Sequence, residues 1–229
     1  MQQWIIRSQN ISPLNKEWHL RAQQRLDQQT RPRGSLGRLE DAIAKFVAIQ
    51  QKERPQLEKK RILIFAGDHG VEKEGVSLYP REVTKAMVLN FLNGGATINA
   101  LARQISAQVK VIDVGVDADL PKHDSLVQAK IGRGTKNFKI EPAMSEEELD
   151  KALGVGWRMV EESKNEKLDI LALGEMGIAN TTAASAVIAA CLKVSPFLVT
   201  GRGTGVDDKG LRHKIEVIEE SLKRHTAYL

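Results

Sequence analysis

Apolar and polar positions follow two different rhythms along this chain. In the first third the spacing is helical. Residues 14–29 set Trp18, Leu20, Ala22 and Leu26 among polar neighbours, and residues 36–51 gather Leu36, Leu39, Ile43, Phe46, Val47 and Ile49 on one stripe. A proline- and glycine-marked loop, 31–38, separates the two. Beyond Lys60 short, unbroken apolar runs take over, at 62–66, 109–116, 168–173 and 197–200, and each leads towards a glycine. Runs that are apolar on both faces suit parallel strands covered by helices on either side. Helical patterns lie between and after them, at 82–91, 96–108, 145–163, 181–192 and 208–225, the last carrying Leu211, Ile215, Ile218 and Leu222 on one face. The alternation predicts an α/β protein with a doubly wound, mainly parallel sheet in three layers, Rossmann-like. It also predicts a helical subdomain over 1–58 and an α/β domain over 59–229.

Composition narrows the class. Hydrophobic residues make up 41% of the 229 residues but aromatics only 4%, so the core is expected to consist of Val, Ile, Leu and Ala. The formal charge is +5, from 34 Lys and Arg against 29 Asp and Glu. The two signs are interleaved, with no basic block, which argues against nucleic acid as a partner. The start of the chain lacks the charged and apolar pattern of a signal peptide, and the longest apolar run is about half of the roughly 20 residues a membrane helix needs. A cytoplasmic protein is the expectation. A single cysteine, Cys191, rules out a disulfide framework and a cysteine-built metal site; within its apolar run it reads as a small buried hydrophobe.

In an open parallel sheet ligands bind beyond the carboxyl ends of the strands, where this sequence places its unusual residues. The first run leads into Gly67-Asp-His-Gly, the third into Gly174-Glu-Met-Gly-Ile-Ala-Asn-Thr-Thr, and the fourth into Gly201-Arg-Gly-Thr-Gly. The segment 174–182 fits a phosphate cradle, with Asn180, Thr181 or Thr182 capping the next helix; an ordinary strand–helix turn fits it equally well. Glu175 weighs towards function, since a carboxylate beside an anion cradle is unfavourable unless it serves polar ligand groups or a proton transfer. The loop 201–205 has the spacing G-x-G-x-G instead of G-x-G-x-x-G, which speaks against a Rossmann dehydrogenase, and no P-loop is present. Asp68 and His69 read as a catalytic pair, as metal ligands, or as a loop anchor with a packed ring. Two neighbouring ligands without a second cluster do not make a metal site, so no metal is expected. Lys214, taken alone, falls on a helix face of the kind usually solvated.

Together these motifs resemble those of the nicotinate-nucleotide:dimethylbenzimidazole phosphoribosyltransferases. The segment 31–40 (RPRGSLGRLE), Phe65 to Val71, Glu74 to Pro80, Glu82 to Thr84, Met87-Val88, Asn90 to Gly95, Asp113 to Val116, Gly134-Thr135 with Asn137, Gly174 to Thr182, Gly201 to Gly205, Asp207-Asp208 and Lys214-Ile215 follow in family order, over nearly the whole chain. The resemblance implies transfer of ribose 5-phosphate from nicotinate mononucleotide to 5,6-dimethylbenzimidazole by a homodimer, without a cofactor. It implies that Ser77, Leu78 and Tyr79 line the benzimidazole pocket, and that Glu175, Met176 and Gly177 border both substrates. Asn180, Thr181 and Thr182 would lie near phosphate, and Gly203 and Lys214 beside the nucleotide. Two departures stand out. Ala86 occupies a position where the family often has a glutamine that contacts the base. Family members also run about half as long again, through an aspartate-glycine-phenylalanine run to a glycine-glutamate-glycine-threonine-glycine segment whose glutamate is the general base; the sequence stops at Leu229, before either. The expectation is an impaired enzyme in which Glu175 is the substitute base. The alternatives are a non-catalytic or vestigial nucleotide-binding homologue, and a part-enzyme completed by another chain.

Overall fold

The computed structural model describes residues 2–225. The chain divides into two compact units, Met1–Glu58 and Lys59–Leu229. The first is helical: α1 (Gln2–Gln9), α2 (Lys16–Asp27) and α3 (Arg38–Gln50). Asn15 caps α2 by accepting the Glu17 and Trp18 N–H groups, which sets its start. Ala22 of α2 packs on Ala44 and Val47 of α3, with Trp18 at the margin. In the loop between them Arg31 pairs with Glu40 at 2.5 Å.

The second unit is an α/β layer structure. Its strands are β1 (Lys60–Gly67), β2 (Ala107–Gly115), β3 (Leu126–Gln128) and β4 (Ile170–Met176); its helices are α4 (Glu82–Leu92), α5 (Thr97–Gln104), α6 (Glu146–Asn165), α7 (Asn180–Leu192), α8 (Pro196–Val199) and α9 (Asp208–Arg224). A 3-10 turn, Gly70–Glu74, follows β1. The strands are all parallel, in the order β3-β2-β1-β4. Alternation along β1 sorts its side chains between two cores. Ile62, Ile64 and Ala66 meet Val88, Phe91 and Leu92 of α4 and Ile98 of α5, whereas Leu63 and Phe65 meet Val155 and Met159 of α6. Helices therefore lie on both sides of the sheet and cover both faces of β1, whereas β4 is covered less than its apolar run requires, with Leu173 71% exposed.

Three expectations are corrected. Residues 197–200 form no strand: Ser195 caps α8 through the Phe197 N–H, Pro196 pre-sets the first helical φ, and Thr200 N–H bonds back to Pro196 O at 3.0 Å. The helix expected over 96–108 ends at Gln104, because Ser106 adopts φ +53° and turns the chain directly into β2. Cys191 is exposed on α7, not buried in its apolar run. One strand, β3, gave no signal in the sequence; three residues are too few to establish a rhythm.

Candidate functional site

The strand order fixes where a site forms. From β1 the chain steps outward to β2 and β3, then returns to the other side of β1 for β4. The carboxyl ends of β1 and β4 are thus the point where the winding direction reverses, and such points open a crevice. Glu175 is not in the turn after β4 but in the strand itself, paired in register with Phe65 of β1. It lies on the α6 side of the sheet, where a cavity of about 270 Å3 is walled by Phe65, Val114, Ile131, Met144 and Met176 and carries Asp68, His69, Glu175 and Asn180. The apolar walls and incomplete solvation raise the Glu175 pKa above its ordinary 4.5. Burial also lowers the His69 pKa below 6.5, with Asp68 opposing the effect, so the imidazole is neutral at neutral pH.

Asp68 is 3% exposed and anchors the floor. Its Oδ2 accepts the Asp117 N–H at 2.7 Å, its own N–H goes to Gly115 O, and its carbonyl accepts the Thr135 N–H. Asp68 therefore links the ends of β1 and β2 to the loop carrying Thr135. On the other flank, the fully buried Thr84 of α4 accepts the Ile178 N–H at 3.1 Å and holds the turn between β4 and α7. Gly177 in that turn has no room for a side chain, since a Cβ would lie 2.1 Å from Gly67 O and 3.0 Å from the His69 ring.

The start of α7 differs from the expectation. Asn180, Thr181 and Thr182 do not cap it; Ala179 takes the cap position at φ +68° without a side-chain bond. The bonds Asn180 N–H to Gly177 O and Thr182 N–H to Ala179 O close the turn one residue earlier, leaving the three polar residues in the first helical turn. Thr182 is fully buried. Thr181 faces a second cluster, where its Oγ1 accepts from Lys214 Nζ at 2.6 Å, and Nζ also reaches Gly201 O at 3.3 Å. Lys214 is 1% exposed, so it is not on a solvated face. Burial lowers its pKa from 10.5, and both acceptors it meets are neutral. Gly203, at φ +54°, closes over the pair; a Cβ there would meet Thr181 Oγ1 at 2.6 Å and Lys214 Nζ at 2.9 Å. Asp207 caps α9 and so places Lys214 two turns in.

The structure thus brings the expected residues together in groups joined through neighbours in sequence. Glu175, Met176 and Asn180 share the cavity; Thr181, Gly203 and Lys214 form the cationic cluster beside it. Ser77 is tied to Thr204, next to Gly203, whereas Leu78 and Tyr79 are exposed and lie outside the cavity. A larger cleft, about 700 Å3, opens between α2 and α3 of the first unit and holds none of these residues. Among the described residues no group of three or more His, Cys, Asp or Glu side chains is placed to share a metal ion, and no helix is long and apolar enough to cross a membrane. Thr84 and Thr204 lie within the motifs, but no local pattern in the sequence assigns either a role.

Residues 11–228 match the family described as DBI_PRT: Phosphoribosyltransferase. The chain belongs to this family. Among curated relatives, the nicotinate-nucleotide–dimethylbenzimidazole phosphoribosyltransferase of Chloroflexus aurantiacus is 51% identical over 215 residues, which cover 94% of this chain and 61% of that protein. The protein of the same name from Geobacter sulfurreducens is 50% identical over 212 residues, 93% of this chain and 60% of its own length. The crystal structure of CobT from Thermus thermophilus superposes with a TM-score of 0.86 at 45% identity, covering 91% of this chain and 62% of that one. The chain therefore spans about 61% of the length of the phosphoribosyltransferases it matches.

Proposed function

We propose that the chain carries out phosphoribosyl transfer, moving ribose 5-phosphate from nicotinate mononucleotide to 5,6-dimethylbenzimidazole as part of a homodimer, to give α-ribazole 5′-phosphate and nicotinate. The observation that carries this reading is the pair of groups flanking the β4–α7 turn: a carboxylate in an apolar-walled cavity on one side, and a buried cation at a helix start on the other. The phosphate of the mononucleotide fits Lys214, Thr181 and Gly203, where the ammonium meets only neutral partners and the positive end of the α7 dipole adds to it. Asn180 and Met176 then fall beside the ribose and the ring, with Ser77, Leu78 and Tyr79 on the benzimidazole side.

In the reaction a benzimidazole nitrogen forms its bond to C1′ as the C1′–pyridine nitrogen bond breaks, its electron pair leaving with nicotinate. The other benzimidazole nitrogen gives up its proton. Glu175, which stays exposed at one side of this cavity, is the carboxylate suited to receive it, because partial desolvation raises its pKa and makes it a stronger base than a fully solvated glutamate. The step it serves should accelerate as pH rises through that raised value, since only the ionised form accepts.

Nicotinate release from nicotinate mononucleotide and 5,6-dimethylbenzimidazole tests the proposal. Slow but measurable turnover is expected from the 229-residue chain, well below that of a full-length relative, because positioned carboxylates contribute about 10²–10⁴-fold and orientation several kcal/mol more. Glu175→Gln should abolish the remainder. Binding of the mononucleotide without any release of nicotinate would replace the transferase reading by a binding one.

A further inference from the structure

Two hydrogen bonds tie the loop after the 3-10 turn to the glycine loop after α8, and a third braces the first loop from within. Thr204 Oγ1 accepts the Leu78 N–H at 3.1 Å and lies 3.3 Å from Ser77 Oγ, which in turn accepts the Tyr79 N–H at 3.3 Å. The two segments are 126 residues apart in sequence. Leu78 and Tyr79 are 61% and 53% exposed, so packing does little to hold this stretch. Val76, 3% exposed, anchors it from behind. At the other end, Thr204 follows Gly203, which touches the Thr181–Lys214 pair.

We propose that Thr204 is a positioning residue: its hydroxyl fixes the loop 77–79 to the glycine loop, so that the two sides of the ligand site hold one geometry. The hydrogen count supports a shared role for the two hydroxyls. A hydroxyl has one donor hydrogen and two acceptor lone pairs. If Ser77 donates to Thr204, both Thr204 lone pairs are taken and its own hydrogen is free; if Thr204 donates, both Ser77 lone pairs are taken and the Ser77 hydrogen is free. Either way the pair offers one hydrogen to an acceptor atom on a ligand, such as an unprotonated ring nitrogen, and can offer it from either side. Loss of the Thr204 hydroxyl removes that choice and releases the Leu78 amide together. The transferase reading enters only in naming the ligand.

Amide hydrogen exchange on the full chain, read by NMR at Leu78 and Tyr79, tests the tie without any ligand. Thr204→Val keeps the branched shape and should speed Leu78 exchange about fivefold, the effect of one typical net hydrogen bond, while a cooperative melting curve lowered by only about 2–4 °C shows that the fold is retained. Thr204→Ser should restore the wild-type rate, which replacement of a merely packed side chain would not do. Ser77→Ala should release Tyr79 and leave Leu78 protected. Binding of 5,6-dimethylbenzimidazole, followed by its own fluorescence, should weaken in Thr204→Val and recover in Thr204→Ser. If the wild-type chain does not bind this base, the base-pocket reading fails while the exchange result still decides the tie. Equal Leu78 exchange in the wild type and Thr204→Val would overturn it.

Discussion

Lys214 shows how one side chain can carry a binding site at the expense of the free protein. A buried ammonium between a hydroxyl and a carbonyl has lost water and gained no opposite charge. Lys214→Met fills the same volume without that penalty, so it should leave stability unchanged or raise it by about 1 kcal/mol, while phosphate affinity measured by calorimetry drops at least about tenfold. A variant that is clearly destabilised yet binds phosphate normally would contradict this. The pH dependence has a definite sign. The folded pKa of Lys214 lies below the ordinary 10.5, so the unfolded chain holds this proton more tightly. The stability penalty is therefore present below the depressed value and fades as pH climbs towards 10.5. Anion affinity runs the other way, falling as the ammonium deprotonates. Helical spacing alone put Lys214 on a solvated face. Its burial arises because the loop 201–205 folds back over α9, a contact that no local pattern encodes; only the ordered motifs pointed to it.

At the scale of elements, the sequence was most legible where a segment is long and its chemistry local. β1, β2, α6 and α9 fall close to where their apolar spacing places them, and in the structure Ser145 and Asp207 begin the two helices through side-chain bonds to the backbone three residues on. The turn between β4 and α7 was less legible, because its geometry depends on partners far away, Thr84 and Gly67. That dependence makes the turn intolerant. Gly177→Ala puts a methyl 2.1 Å from a backbone oxygen, which only movement of β1 or β4 can relieve. A loss of about 2–3 kcal/mol is expected, visible as a melting temperature lowered by roughly 5–10 °C. A wild-type melting curve would mean that the turn has slack which this geometry denies it.

Over the whole molecule, the segment at 197–200 matters most. As a strand it could have lain beside β4; as the helix α8 it leaves β4 at the end of the sheet order, with Leu173 71% exposed. Val187 and Leu192 of α7 and Phe197 and Leu198 of α8 are also exposed. Apolar surface of this kind tends to find a partner, and an unpaired strand edge is a template for one. The chain should self-associate at micromolar concentration, and Leu173→Lys should shift it towards monomer. Light scattering decides, and a stable wild-type monomer would refute the expectation.

The pairing of β1 with β4 also sets when the site comes into being. Its partners run from Lys60–Ile170 to Ala66–Met176, so about half of the chain lies between the two strands that frame the crevice. Closing so long a loop is slow relative to local helix formation. During synthesis β1 therefore lacks β4 until residue 176 has emerged, and the phosphate cluster waits longer still, until Lys214 follows. A mononucleotide or phosphate that binds the finished crevice selects chains that have completed this step. At about a hundredfold excess over its dissociation constant such a ligand adds about 2.7 kcal/mol to the folded state, so the share of chains that stay folded rises with the supply of ligand.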